Sequence, residues 1–171
     1  VNKETGKAQY YKEVEGEDGT TTVEITEIFD EATQFRLGTV LPKLYGGFGT
    51  TLAWKGLSLS AQFSWVGDRW MLNNDRYFDE SNGRFSTYNQ SRRLLNRWKQ
   101  PGDITDIPAH GHYTEFDSRL LEDASFLRLK NVMLAYSLPS GLLKRTGFIR
   151  GLRFYAQGQN LLTFTNFSGL D

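Results

Sequence analysis

The chain has 171 residues, enough for one ordinary domain, and its 20 basic and 20 acidic side chains cancel, which argues against a nucleic-acid partner and against charge-driven recruitment to an anionic surface. Only 39% of residues are apolar, yet 14% are aromatic and 17 are glycine; this suits strands that show an apolar face at every second residue, although a soluble β-sandwich with aromatic loops shares it. The absence of cysteine excludes disulfides, thiol chemistry and zinc ribbons.

The first residues, Val1 to Gly6, are polar and contain no signal-like apolar segment. The longest apolar run, Val132 to Tyr136, is far short of the ~20 residues of a membrane-spanning helix. Any crossing of a bilayer is therefore by strands, and an exported chain of this kind is expected to be a piece of a larger one.

In chain order, Ala8 to Phe29 holds two β-favouring stretches around Asp18-Gly19, a hairpin signal. Its alternation is poor, so this hairpin is expected to project outside a bilayer. From Phe48 the pattern sharpens: Phe48, Thr50, Leu52 and Trp54 share one face, and Gly56 turns the chain. Leu57, Leu59, Ala61, Phe63 and Trp65 then alternate without exception with Ser58, Ser60, Gln62 and Ser64. Two strands of this length match the ~9–11 residues that a tilted strand needs to cross hydrocarbon; an antiparallel sheet with one face on a soluble core produces the same alternation.

Residues 68–123 show little periodicity and many large side chains, with Pro101-Gly102 and Pro108 as breakers. The segment is read as a long extracellular loop, with one short helix from Ser91 to Trp98 that sets Leu94 and Leu95 against Trp98. Strands resume at Phe126. Val132, Leu134 and Tyr136 form one face, but Leu127 and Leu129 lie on the opposite parity, which a bulge near Lys130-Asn131 reconciles. The last strand, Leu152 to Leu161, sets Leu152, Phe154, Ala156 and Gly158 against Arg153, Tyr155, Gln157 and Gln159. The expected fold class is all-β: an antiparallel transmembrane β-barrel segment, incomplete because so few strands cannot close around their own side chains. In that frame Leu57, Leu59, Phe63, Trp65, Val132, Leu134, Tyr136, Leu152 and Phe154 face lipid. Ser58, Ser60, Gln62, Ser64, Arg153, Tyr155, Gln157 and Gln159 face the lumen. If the turns at Gly56 and at 141–151 are on the inner side, the long loop and Asp171 are on the outer side.

Pro42-Lys43-Leu44-Tyr45-Gly46-Gly47-Phe48-Gly49-Thr50-Thr51-Leu52, Asn96-Arg97-Trp98 with Pro101-Gly102-Asp103, Leu121-Glu122-Asp123-Ala124-Ser125-Phe126-Leu127-Arg128-Leu129-Lys130-Asn131-Val132, and Gly158-Gln159-Asn160-Leu161-Leu162-Thr163-Phe164-Thr165 occur in that order. Together they resemble the C-terminal barrel signatures of the SusC/RagA family of TonB-dependent outer-membrane transporters. The resemblance implies that residues 1–171 are part of the C-terminal region of a plugged barrel of about 22 strands in the outer membrane of a Gram-negative bacterium. It implies import of oligosaccharides or peptides under a SusD-like surface lipoprotein. The partners it implies are the remainder of the barrel and its plug, outer-membrane lipid, and TonB acting through an N-terminal region outside this chain. The alternative is a secreted β-sandwich carbohydrate-binding module.

Trp70, Arg76, Tyr77, Phe78, Tyr88 and Trp98 are the candidates to meet substrate or lid, since aromatic rings stack on flat apolar faces and guanidinium groups donate hydrogen bonds. His110, His112, Glu115 and Asp117 have metal-ligand chemistry but no third close histidine, so they are read as a solvated loop. The carboxylate pairs Glu122-Asp123 and Asp103-Asp106 lie in no apolar pocket that the sequence reveals. No catalytic residue, metal or cofactor is expected.

Overall fold

The computed structural model describes residues 1–113, 115–144 and 147–169. The inner-turn expectation for 141–151 and the placement of Asp171 therefore lie partly or wholly outside the described residues. The chain divides into two compact units, one of residues 39–71 and 123–167, the other of residues 1–38, 72–122 and those from 168 on.

The first unit is a four-stranded antiparallel sheet. Its strands are β3 (Leu44–Trp54), β4 (Leu57–Gly67), β7 (Phe126–Ser137) and β8 (Arg153–Thr165), in the order β3-β4-β7-β8. A two-residue turn joins β3 to β4, with Lys55 at φ 47° and Gly56 at φ 88°. These are the positive values of the primed hairpin turn, whose twist matches that of its strands. Gly56 is required twice over, because a Cβ there would lie 2.6 Å from the Ser137 carbonyl oxygen. That close approach lets the Ser137 N–H donate to the Gly56 carbonyl at 2.8 Å.

The parity break in β7 is a bulge. Gln62 opposes Asn131 and Phe63 opposes Leu129, leaving Lys130 without a register partner. Strand β8 has a larger irregularity beside it: Leu129 opposes Leu162 while Asn131 opposes Gln159. Asn160, at φ 50°, and Leu161 are the extra residues. The single extra residue of β7 resets its pleat, so residues of opposite parity return to one face, whereas the two extra residues of β8 leave its parity unchanged. Strand β8 thus continues past Leu161 to Thr165, longer than its alternation indicates, and Leu152 lies just before its start.

Both outer strands are open. Among the described residues, strand β3 pairs with β4 alone and β8 with β7 alone, and the two do not pair with each other. A short helix, α2 (Ser140–Leu143), follows β7.

The second unit opens with the hairpin β1 (Tyr10–Glu15) and β2 (Thr21–Thr26), paired from Tyr10↔Thr26 to Glu15↔Thr21. Its remaining structure is mostly irregular, built around the helix α1 (Asn74–Asp79). Two short strands, β5 (Trp70–Leu72) and β6 (Leu121–Asp123), mark the two ends of the long connection. Tyr77, Leu94, Ile107 and Leu120 form its buried apolar centre. The expected helix from Ser91 to Trp98 is only a 3-10 turn over Arg92–Asn96, capped by the Ser91 hydroxyl. Three residues per turn send neighbouring side chains apart; Leu94 is buried and Leu95 is 66% exposed.

Candidate functional site

The register of the sheet sorts its side chains into two faces. On one, successive cross-strand rows are Trp54, Leu57, Tyr136 and Phe154; Leu52, Leu59, Leu134 and Ala156; Thr50, Ala61, Val132 and Gly158; Phe48, Phe63, Leu129 and Leu162; then Gly46, Trp65, Leu127 and Phe164. These five rows contain no charged residue. Phe48 and Phe63 stack at 4.8 Å, and the Trp65 indole lies over Gly46, where a Cβ would meet its Nε1 at 3.1 Å. From Gly46 to Trp54 the strand takes eight steps, about 26 Å at ~3.3 Å per residue and about 20 Å after a tilt of ~40°. Aromatic rings occupy both end rows, as they do at the two borders of a membrane barrel's apolar band of ~25 Å.

The opposite face carries Ser58, Ser60, Gln62 and Ser64 from β4 and Arg153, Tyr155, Gln157 and Gln159 from β8, with Asn131 and Arg128 of β7 between them. Gln157 Nε2 donates to Asn131 Oδ1 at 3.1 Å, and Arg128 Nε to Thr163 Oγ1 at 3.0 Å. Arg153 Nη2 reaches Ser58 Oγ at 3.4 Å. Such a surface suits water or a polar partner, because its amides and guanidinium groups have further donors to satisfy.

The six candidates separate, five of them in the loop unit and Trp70 in the sheet unit. Tyr77 is only 9% exposed and is the hub of an aromatic cluster, 3.9 Å from Phe116, 5.3 Å from Phe78 and 5.7 Å from Phe85. Arg76 is committed inward, with Nη1 2.8 Å from both Glu122 Oε1 and the Arg119 carbonyl and Nη2 3.1 Å from Glu80. Trp98 donates from Nε1 to the Lys3 carbonyl at 2.9 Å, and its ring fills the space beside Gly6, where a Cβ would stand 2.5 Å from a ring carbon. Phe78 and Tyr88 lie 5.6 Å apart, Tyr88 being 54% exposed. Trp70 belongs to β5, and its N–H is bonded to the Thr39 carbonyl at 2.8 Å.

Glu122 is the node that the sequence does not reveal. Its carboxylate accepts from the Ser168 N–H at 2.7 Å, the Ser168 hydroxyl at 2.8 and 3.0 Å, Arg76 at 2.8 Å and Asn73 at 3.3 Å. Burial raises its pKa, but the Ser168 N–H, Arg76, the Ser168 hydroxyl and Asn73 together outweigh burial and hold the carboxyl below the ordinary range. An ionised acceptor of this kind ties segments together and is a poor proton donor. Asp123, lowered by hydrogen bonds from the Ser125 side chain and backbone, is of the same type. Asp103 caps the Lys99 and Gln100 N–H groups, and Asp106 pairs with Arg93. Glu115 and Asp117 are held by Arg84 and Arg119.

A second missed residue is Asn82, at φ 54° and 1% exposed. Its amide nitrogen lies 3.2, 2.5 and 3.0 Å from the carbonyls of Pro108, Ala109 and His112. The Asn82-Gly83 dipeptide is the local signal that could have found it. Arg84, also missed, lies 5.8–6.0 Å from the rings of Tyr77, Phe85 and Tyr113.

No protein-family model matches the chain. TonB-dependent receptor P26 of Formosa agariphila is 32% identical over 142 residues, which is 79% of this chain and 14% of that protein. TonB-dependent receptor P39 of the same organism is 29% identical over 143 residues, 78% of this chain and 13% of that protein. Among solved structures, the RagAB peptide transporter matches over 99% of this chain and 19% of its own, with a TM-score of 0.85 and 41% identity. The RagAB peptide importer in its closed-closed state gives 0.82 at 40% identity, again over 99% and 19%. The chain thus spans less than a fifth of the length of these relatives.

Proposed function

Because the chain is a stretch of barrel wall of the SusC/RagA family of TonB-dependent receptors, we propose that it forms part of an outer-membrane importer of peptides or glycans, working with a SusD-like surface lipoprotein and driven by TonB through a plug outside this chain. The observation that carries this reading is the register, which gathers Leu52, Leu59, Leu134, Val132, Phe63 and Leu129 on a single uncharged face. Leu52 and Leu134 are 62% and 47% exposed among the described residues, an open apolar surface. Lipid is the solvent that makes such a face favourable, and it requires that backbone groups pair into a closed wall. A β-sandwich module would instead bury this face against a second sheet.

In this reading the residues of the apolar rows meet lipid, and Ser58, Ser60, Gln62, Ser64, Arg153, Tyr155, Gln157 and Gln159 meet the lumen. Residues 68–123 are extracellular, since β4 and β7 are antiparallel neighbours joined by that segment and the other end of β4 carries the two-residue turn; barrels place short turns inside and long loops outside. Peptide is favoured over glycan as cargo by the 41% identity to the RagAB peptide transporter. Phe78, Tyr88 and Trp70 remain the contacts proposed for substrate or lid, whereas Arg76, Tyr77 and Trp98 act by shaping the loop. The test is whole-cell uptake of a labelled peptide mixture by the full-length receptor and by a strain lacking it, with the receptor located by membrane fractionation. Recovery in the outer membrane with receptor-dependent uptake is expected; recovery in the aqueous phase without detergent overturns the reading.

A further inference from the structure

Near the middle of the loop unit two segments run side by side. Thr105 Oγ1 donates to the Asn96 carbonyl at 2.7 Å, and the Trp98 N–H donates to the Ile107 carbonyl at 3.0 Å. Asp103 closes the turn between them by accepting from the Lys99 and Gln100 N–H groups. These bonds frame a cleft of 580 Å³ lined by Leu95, Arg97, Lys99, Asp103 and Ile104, among others. Its volume falls within the ~300–1,000 Å³ usual for ligand sites.

The side chains around this frame are unusual in two ways. Leu95 and Ile104 are 66% and 83% exposed among the described residues. Arg92, Arg97 and Lys99 have no acidic partner within ion-pair distance among the described residues, unlike their neighbour Arg93, which pairs with Glu80 and Asp106. The cleft's one carboxylate, Asp103, is occupied by the backbone of its own turn. Free cations beside bare aliphatic groups make a surface that an anionic, partly apolar chain would satisfy. A sugar polymer fits less well, because its rings stack on aromatic faces and the apolar walls here are aliphatic.

We propose that this cleft binds the acidic and aliphatic stretch of a peptide, its carboxylates on Arg97 and Lys99 and its apolar side chains on Leu95 and Ile104. The proposal rests on the peptide-import reading and adds a site and a charge preference to it. The experiment uses the purified full-length receptor and fluorescence anisotropy with three labelled probes: an octapeptide alternating leucine and glutamate, one alternating leucine and lysine, and an oligogalacturonate of matching charge. The glutamate peptide is expected to bind about tenfold more tightly than the lysine peptide, the equivalent of one charge-assisted contact. In Arg97→Gln/Lys99→Gln, checked for unchanged heat-resistant migration of the barrel, that preference is expected to vanish. Equal binding of the two peptides, or a preference that survives the double substitution, overturns the proposal, as does tighter binding of the oligogalacturonate. If wild-type receptor binds neither peptide, peptide import falls with it; peptide binding without charge preference removes only this cleft.

Discussion

Individual side chains divide into those whose role is written in alternation and those whose role is written in distant partners. Val132 is of the first kind and sits in the central apolar row. Val132→Arg is therefore expected to cost ~2–4 kcal/mol, the midplane penalty for a cation on the lipid face, while Gln62→Arg on the other face is tolerated. Urea unfolding of the full receptor in lipid vesicles measures both, and equal costs would sink the assignment of faces. Glu122 is of the second kind. Its folded pKa is depressed, so its contribution is complete above the unfolded value of ~4.3 and is lost as pH falls through the lower folded value. Hydrogen exchange at the Ser168 N–H should accordingly be constant across the neutral and mildly acidic range, after correction for intrinsic rate, and lose protection only below the ordinary carboxylate range. Glu122→Gln should remove that protection at neutral pH as well. Protection that fails near pH 6 would point to another group.

At the scale of the elements, the turn between β3 and β4 makes a sharp case. Gly56 combines a positive φ with a close carbonyl, so Gly56→Ala is expected to destabilise by about 1–2 kcal/mol or more. Lys55→Asn, which suits positive φ, should be neutral or slightly stabilising. Denaturation midpoints of the two variants, compared in the full receptor, test the turn geometry. Strands β3 and β4 were legible because every side chain reports its face at a period of two, and the β7 bulge because Leu127 and Leu129 break parity against Val132. The irregularity in β8 was not, since its two extra residues, Asn160 and Leu161, leave Phe154, Ala156, Leu162 and Phe164 on one parity and so make no break to read. Helix α1 and strands β5 and β6 escaped for a different reason: six and three residues are too short for periodicity. The same brevity explains the loop candidates. Aromatic and cationic residue types pointed to Arg76 and Tyr77, but it is Glu122 and Phe116, brought in from distant sequence, together with Glu80 one helical turn on, that turn those side chains inward. The sidedness of the loop can be tested at this scale too. With an impermeant thiol reagent on intact cells, Thr87→Cys should be labelled and Ser140→Cys should not; the reverse pattern would invert the orientation.

For the whole molecule, the decisive feature is that β3, of 11 residues, and β8, of 13, each have a single neighbour among the described residues. Along such an edge roughly half of the N–H and C=O groups point outward without a strand partner. In water those groups are solvated, but the apolar rows between the edges then face water as well. In hydrocarbon the rows are satisfied, but each bare backbone group costs several kcal/mol. Neither solvent suits both features, and closure by further strands on each side resolves the conflict. Closure by these four strands alone would bring β3 to β8 around a lumen too narrow for Arg153, Tyr155, Gln157 and Gln159, given that even the ~8-stranded barrels only just accommodate their side chains. The expectation is that residues 1–171 produced alone aggregate through their edges or float with vesicles without acquiring heat-resistant compactness, while the full receptor acquires it. Amide hydrogen exchange gives the finer reading. In the full receptor the outward N–H groups of Gly46 to Trp54 should be protected to the same degree as those of β4, because another strand covers them. If those groups exchange freely in the intact receptor while β4 is protected, then β3 is a true edge and this chain is not the interior of a barrel wall.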